Sequence, residues 1–332
     1  MDNETVKDQL HDYADMTERA LERYIPERDC LQKNVILAAR HSLTAGGKRL
    51  RPALVMEFCR VCGGVPESAL PVACAIEMMH TFSLIHDDLP CMDNDDMRRG
   101  KPSCHKAFGE ANALLAGDAL AILPAQVIAE AGLKGTISQS AALKIIALLG
   151  EQAGIYGMIG GQVIDTENEG KQLPENVLLE MYRMKTGALL EFCCRAGVIA
   201  AGGGAELQLA AGTYARKLGL AFQIIDDILD VTADENQLGK PVGSDADSGK
   251  YTYAAVVGLD RARAEAARLT DEAVQALEPF ADREFLTGLT TPGGNLIYEY
   301  FYGESDNNRR TDLVHVGSDH QDRAVRDQDE IL

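Results

Sequence analysis

Gln223-Ile224-Ile225-Asp226-Asp227-Ile228-Leu229-Asp230 reads as one turn after another of a helix. Gln223, Asp226, Asp227 and Asp230 fall at i, i+3, i+4 and i+7, which places them in a single stripe on a helical surface. Phe222, Ile224, Ile225, Ile228 and Leu229 make up the rest of that surface. Burying such a stripe in an apolar core is costly, so the segment is expected to line a wet cavity inside a helical protein.

Working outward, the same spacing recurs. Apolar positions repeat at helical intervals from Val6 to Thr44, until Gly46-Gly47 breaks the pattern. A second helix is expected after Pro52, since proline suits a helix start, and a third from Pro66 to Asp88. Further helices are expected at about 108 to 131, 136 to 160, 174 to 201, 206 to 230 and 259 to 278. Strand-type alternation is nowhere sustained, and the composition agrees: 46% hydrophobic, 5% aromatic and no Trp. The fold class is therefore all-α.

Two segments depart from this pattern. Thr232 to Lys250 is rich in Gly, Asp and Ser and is too long for an ordinary connection, so it reads as a functional loop. After Thr290, Pro292-Gly293-Gly294 opens a tail with nine acidic and four basic residues. The organisation read from this is one domain over 1–290, followed by an atypical, poorly ordered acidic tail over 291–332.

The chain of 332 residues carries a net charge of −19, which disfavours nucleic acid and anionic membrane surfaces as partners. Any anionic substrate must be met by local Lys and Arg or by metal ions. Eight Cys lie scattered in apolar stretches, and no basic-apolar leader opens the chain; the expectation is a cytoplasmic protein with reduced thiols. Membrane insertion is not expected, because no uninterrupted apolar run approaches the roughly 18 to 20 residues needed, Pro124 breaking the stretch from Ala119 to Ala129. Cys59 and Cys62 form a lone C-x-x-C without a second pair, which argues against zinc.

The chemistry concentrates in two acidic clusters. Asp87-Asp88-Leu89-Pro90-Cys91-Met92-Asp93, continued by Asp95 and Asp96, ends an apolar helix. Each carboxylate at a helix C-terminus is disfavoured by roughly 0.3 to 1 kcal/mol unless a cation offsets it. Residues six apart on a helix point about 240° away from each other, so Asp93 rejoins Asp87 only if the chain bends, and Pro90 supplies the bend. The second cluster is the stripe at 223–230. Taken alone, an acidic run is usually a solvated surface. Two such runs with apolar flanks read instead as carboxylate ligands for a hard cation, Mg²⁺ shared with substrate phosphates being the commonest arrangement. The Asp-x-Asp-x-Asp-Gly spacing of a Ca²⁺ loop is missing.

Basic residues stand where phosphates would need them. Gly46-Gly47-Lys48-Arg49-Leu50-Arg51-Pro52 offers a glycine turn, a point charge and an arginine fork, without the spacing of a Walker motif. Arg98-Arg99-Gly100-Lys101 follows the first acidic cluster and could equally balance its charge. Lys185 shares a helical face with Leu178, Met181, Tyr182, Leu189 and Phe192, which implies a buried lysine with an interior anion beside it. His80 lies two turns before Asp87 on the same face. A lone histidine there is more often a satisfied core residue.

A DDxxxxD cluster, a later DDxxD cluster, GGKRLRP before both and RRG just after the first together make the chain resemble the trans-prenyltransferases of the farnesyl and geranylgeranyl diphosphate synthase family, over about residues 1 to 290. The resemblance implies a single-domain helical bundle around a deep central cavity, usually a homodimer. It implies Mg²⁺ held by Asp87, Asp88, Asp93, Asp226, Asp227 and Asp230 against an allylic diphosphate, with Arg98, Lys185, Thr186, Gln223, Lys240 and Lys250 lining that site. Isopentenyl diphosphate would be held by Lys48, Arg51, His80 and Arg99. Condensation of the two would give farnesyl diphosphate if Phe82, five residues before Asp87, is the floor of the chain cavity. Ser83, more directly beneath Asp87, would leave room for a geranylgeranyl product. Terpene cyclases share the need for carboxylates and Mg²⁺ but not for the isopentenyl pocket. Non-catalytic subunits of such synthases typically lose an acidic cluster, and both are intact here. Family members end soon after the segment matching Phe280 to Thr290 with a short helix and basic residues; the acidic tail departs from this, which implies a loosened lid over the isopentenyl site.

Overall fold

The computed structural model describes residues 3–232 and 252–290. Lys240, Lys250, most of the loop expected after Thr232 and the tail over 291–332 lie outside those residues.

The described chain is almost wholly helical. In order it forms α1 (Asn3–Tyr24), α2 (Lys33–Leu43), α3 (Leu50–Val61), α4 (Pro66–Asp87), a two-residue hairpin of β1 (Met97–Arg98) and β2 (Lys101–Pro102), α5 (Cys104–Phe108) and α6 (Glu110–Leu133). Then come α7 (Gln139–Ala153), α8 (Met158–Glu167), α9 (Glu175–Tyr182), a π-helical turn (Arg183–Gly187), α10 (Ala188–Ala200), α11 (Ala205–Thr232), α12 (Tyr253–Val257), α13 (Leu259–Ala276) and α14 (Glu284–Leu289).

Helix α4 sits at the centre. Pro66 occupies its first turn, and from Val72 to Met79 every residue is buried, Glu77 included, so the helix is enclosed on all sides by others. It packs against α3 and α6, α10 lies against α3 and α11, and α13 runs along α11. One core links α1 to α4, α6, α7, α10 and the end of the described chain; a second, around Leu178, Tyr182, Ile224, Tyr253 and Leu269, closes the bundle beside α11. Charges inside this core are paired. The Arg49 side chain is fully buried, meets Glu77 and Glu18, and donates to the Leu43 carbonyl at 2.7 Å. Glu57, also fully buried, accepts from the Tyr13 hydroxyl at 2.8 Å and is gripped by Arg60.

Several sequence expectations shift. The pattern from Val6 to Thr44 is two helices, because Pro26 cannot continue α1 and disfavours helical geometry at Ile25. The segment 136–160 is also two: a Cβ on Gly157 would lie 2.0 Å from the Gln152 carbonyl oxygen, so glycine permits a sharp turn between α7 and α8. Pro124, by contrast, does not break α6, which runs through it with the ring buried. That overturns the interrupted-run argument about membranes. Three helical stretches, Pro66–Asp87, Glu110–Leu133 and Gln139–Glu167, are long and apolar enough to cross a bilayer by length and composition, and 61%, 39% and 44% of their apolar windows are buried within the protein.

Candidate active site

The first acidic cluster is built by the end of α4. After Asp87 the chain turns through Pro90, and the Asp93 amide donates to the Asp87 carbonyl at 2.8 Å. The bend expected at Pro90 thus returns Asp93 to Asp87. The three carboxylates nevertheless face different surroundings. Asp87 borders an apolar cavity, Asp93 borders a polar one, and Asp88 is buried against Arg98, whose Nε donates to it at 3.0 Å. Burial pushes the Asp87 carboxyl up to about 6; Lys185 opposes the shift and the neighbouring Asp93 charge adds to it. Burial also raises Asp88, against the pull of Arg98.

Helix α11 carries the second cluster. Gln223, Asp226 and Asp227 line a cavity of about 290 Å³ together with Asp93, Lys185 and Thr186. The polar stripe read from the sequence does face a cavity, although Asp230 is buried and lies off its lining. Asp227 has a second engagement. Its Oδ2 accepts from the Tyr182 hydroxyl and from the Tyr253 amide, both at 2.7 Å, which ties α11 to α9 and α12. The Thr186 hydroxyl donates to the Gln223 side-chain carbonyl at 3.1 Å, joining the π turn to α11.

Lys185 is presented by that π turn, where one extra residue per turn interrupts the helix expected over 174–201. The turn can approach α8 only because position 161 is glycine: a Cβ there would lie 2.3 Å from the Lys185 amide nitrogen. Lys185 is half-buried rather than sealed in the core, and the anion beside it belongs to the chain. Its Nζ donates to Asp165 Oδ2 at 2.5 Å. Sequence reasoning missed Asp165. The signal was Gly160-Gly161-Gln162-Val163-Ile164-Asp165, a glycine pair at a helix start followed by Gln and Asp three apart, and Gln162 and Asp165 both line the polar cavity.

Below the polar cavity lies an apolar one of about 720 Å³; the two share Cys91, Met92, Gln162, Thr166, Lys185 and Thr186. Its lining includes Asp87, Arg51, His80, Phe82 and Ser83. His80 is held well below the usual imidazole range, first by burial and then by the cationic Arg51, so it stands neutral at pH 7. Burial also pulls the Arg51 guanidinium down, and among the described residues its Nε finds no hydrogen-bond partner. A buried donor without an acceptor is a costly arrangement that an incoming anion would relieve.

The remaining basic residues divide. Lys48 is half-buried near the start of α3. Arg99 is exposed, donates to the Gly46 carbonyl, and lies where a Cβ on Gly47 would stand 2.4 Å from its Nη1; glycine at 47, with φ +128, makes that approach possible. Arg98 borders neither main cavity and is engaged by Asp88 and Asp95, the charge-balancing role its position had left open.

Among the described residues no three His, Cys, Asp or Glu side chains come together as a ready metal site. The donor set still suits Mg²⁺, a hard cation bound by one or two carboxylates with the rest of its shell from water and phosphate. Asp93 and Asp226 supply such carboxylates across one cavity, with no competing thiolate cluster or imidazole pair.

The profile of the polyprenyl synthetase family matches residues 32–284. A farnesyl diphosphate synthase of Geobacillus stearothermophilus is 47% identical over 259 residues, 78% of this chain and 86% of that protein. The large subunit 1 of a heterodimeric geranylgeranyl pyrophosphate synthase of Arabidopsis thaliana is 43% identical over 270 residues, 80% of this chain and 72% of that protein. Among solved structures, an FPP/GFPP synthase of Zymomonas mobilis superposes with a TM-score of 0.78 at 36% identity, covering 87% of this chain and 98% of the other.

Proposed function

Because this chain belongs to the polyprenyl synthetase family, whose profile spans most of it, we propose that it is a trans-prenyl diphosphate synthase. On this reading it condenses isopentenyl diphosphate with an allylic diphosphate, dimethylallyl or geranyl, to give farnesyl diphosphate. The observation that carries the reading is the junction of two cavities: carboxylates around one, mostly apolar side chains with Asp87 around the other, and Lys185 and Thr186 where they meet.

Mg²⁺ held by Asp87, Asp88, Asp93, Asp226, Asp227 and Asp230 would supply positive charge to the diphosphate oxygens. Lys185, Thr186 and Gln223 bind the same group from the π turn and α11, with Arg98, Lys240 and Lys250 assigned to that end as well. Fixed cations aimed at a departing diphosphate stabilise the charge that develops as the allylic carbon–oxygen bond breaks and its electron pair leaves with oxygen. The apolar cavity shields the carbocation from water. Lys48, Arg51, His80 and Arg99 hold isopentenyl diphosphate so that its double bond supplies the electrons of the new carbon–carbon bond. The released diphosphate then takes the proton, and no nucleophile of the chain is consumed.

Phe82 at the cavity lining supports the farnesyl product. The geranylgeranyl alternative rests on Ser83 in the same lining, and relatives named for both products resemble the chain. Neither a cyclase nor a non-catalytic subunit needs both the intact clusters and the pocket at Arg51 and His80. A homodimer is supported by exposed apolar side chains along α6 to α8, among them Leu115, Ile122, Leu133, Leu143, Ile155 and Tyr156. All eight cysteines are free, which supports a reducing, cytoplasmic setting.

The decisive experiment is to incubate the purified protein with Mg²⁺, isopentenyl diphosphate and each allylic primer and to size the products. Asp87→Asn and Asp226→Asn should each cut turnover by more than about a hundredfold, the scale of losing one transition-state electrostatic contact. Elongation at an undiminished rate in both variants would refute the proposed role of the clusters.

A further inference from the structure

Phe82 and His86 lie one helical turn apart on the same face of α4, and both border the apolar cavity. Their rings meet edge-on, with centroids 4.8 Å apart and planes at 73°. The imidazole is itself fixed from the side. Its Nε2 lies 3.1 Å from the Leu114 carbonyl on α6; a carbonyl can only accept, so this nitrogen carries the proton. The nearest acid, Asp118, stands 3.9 Å away and adds no hydrogen bond. Behind the ring is Gly117. A Cβ at that position would lie 2.1 Å from Nε2 and 2.3 Å from Cδ2, so the imidazole occupies a slot that exists because 117 has no side chain.

We propose that His86, seated in the Gly117 slot of α6, is a positioning residue that fixes the Phe82 ring across the cavity and so sets the length at which the growing prenyl chain stops. The inference rests on the synthase reading given above, and it adds a residue to that reading which touches neither diphosphate nor metal. An aromatic floor limits chain length only while its ring is held. Phe82 on its own helix could rotate about χ1; the edge of His86 removes that freedom. With the imidazole gone, the slot against α6 lies open to the Phe82 ring, which withdraws from the chain's path and deepens the cavity.

The test is the product distribution of wild type, His86→Ala, His86→Phe and Phe82→Ala, each given isopentenyl diphosphate and geranyl diphosphate with Mg²⁺. His86→Ala should raise the ratio of C20 to C15 product by about threefold to tenfold, the size of one aromatic edge contact. Its rate of first condensation should stay close to wild type. His86→Phe keeps a ring against Phe82 and should restore the wild-type ratio, which a general loosening of the fold would not do. Phe82→Ala should lengthen the products at least as much as His86→Ala. An unchanged or shortened distribution in His86→Ala, or a shift in His86→Phe as large as in His86→Ala, overturns the proposal while leaving the synthase reading intact. Absence of any prenyl product from wild type overturns both. If His86→Ala does not fold, the ratio in His86→Phe still decides, since a wild-type ratio there supports the ring's role and a lengthened one refutes it.

Discussion

Lys185 stands beside one acid of its own chain and faces others across a cavity. The Asp165 contact at 2.5 Å holds its ammonium while both side chains remain partly open to water. Replacing Asp165 with Asn keeps the shape and removes the charge-assisted bond, worth about 1.5 to 3 kcal/mol, so kcat should fall by roughly tenfold to a hundredfold. Steady-state kinetics on the folded variant check this, and an unchanged kcat would show that Lys185 needs no such support. Asp87 makes a second prediction. Its carboxyl is raised from 3.8 to about 6, first by burial. The folded metal-free protein therefore binds more protons than the unfolded chain between those values, and its stability from this group falls as pH rises through the window and stays lower above it. Melting temperatures of metal-free wild type should drop from pH 4 to pH 6 more than those of Asp87→Asn. Parallel curves would mean that Asp87 titrates normally. At this scale the acidic clusters were legible because two groups of like charges on apolar segments have few bland explanations. Asp165 was not, since its one signal, a glycine pair followed by Gln and Asp three apart, is a single acid on a short, mixed helix and forms no cluster of charge.

At the scale of elements, helices were legible wherever a single apolar period persisted, as in α4 and α11. The misreadings came from Gly and Pro, whose effect depends on neighbours the sequence does not reveal. Pro26 ends a helix in a polar segment, whereas Pro124 is carried through α6 because its ring is buried in a helix packed on α4. The π turn left no trace in the period, since Lys185 and Leu189 still fall four apart. Its support by α8 is nonetheless steep: a Cβ on Gly161 would meet the backbone of Lys185 at 2.3 Å, with Lys185 Cα at 2.7 Å. Gly161→Ala should therefore destabilise the protein by about 1 to 3 kcal/mol through overpacking and should depress turnover beyond that of a control substitution at Asp271, exposed on α13 and outside both cavity linings. Thermal melts with matched kinetics test this; a Gly161→Ala protein indistinguishable from wild type would show that α8 and the π turn can separate without loss.

For the whole molecule, the all-α class was set by composition and period together, but the closure of the bundle was not. Tyr253 joining Leu178 and Ile224 in one cluster is a contact between distant segments, and spacing along the chain says nothing of it. The exposed apolar side chains on α6, α7 and α8 belong to this scale too. Ile122, Leu133, Leu143, Ile155 and Tyr156 are each more than two-thirds exposed, more large apolar side chain than a lone domain usually leaves to water. The protein should sediment as a dimer, and replacing Ile122 and Leu143 by Glu together should yield monomers; a monomeric wild type at micromolar concentration would assign those side chains another purpose. The two cavities, which touch along six shared residues, carry one more consequence. On the synthase reading the diphosphate sits in the polar cavity and the growing product in the apolar one, lined by Phe82, Ser83 and Leu84 of α4, so inherited changes around the apolar cavity would retune molecular size while the carboxylates stay as they are. Descendants of one ancestral gene can then diverge in what they deliver without passing through an inactive generation.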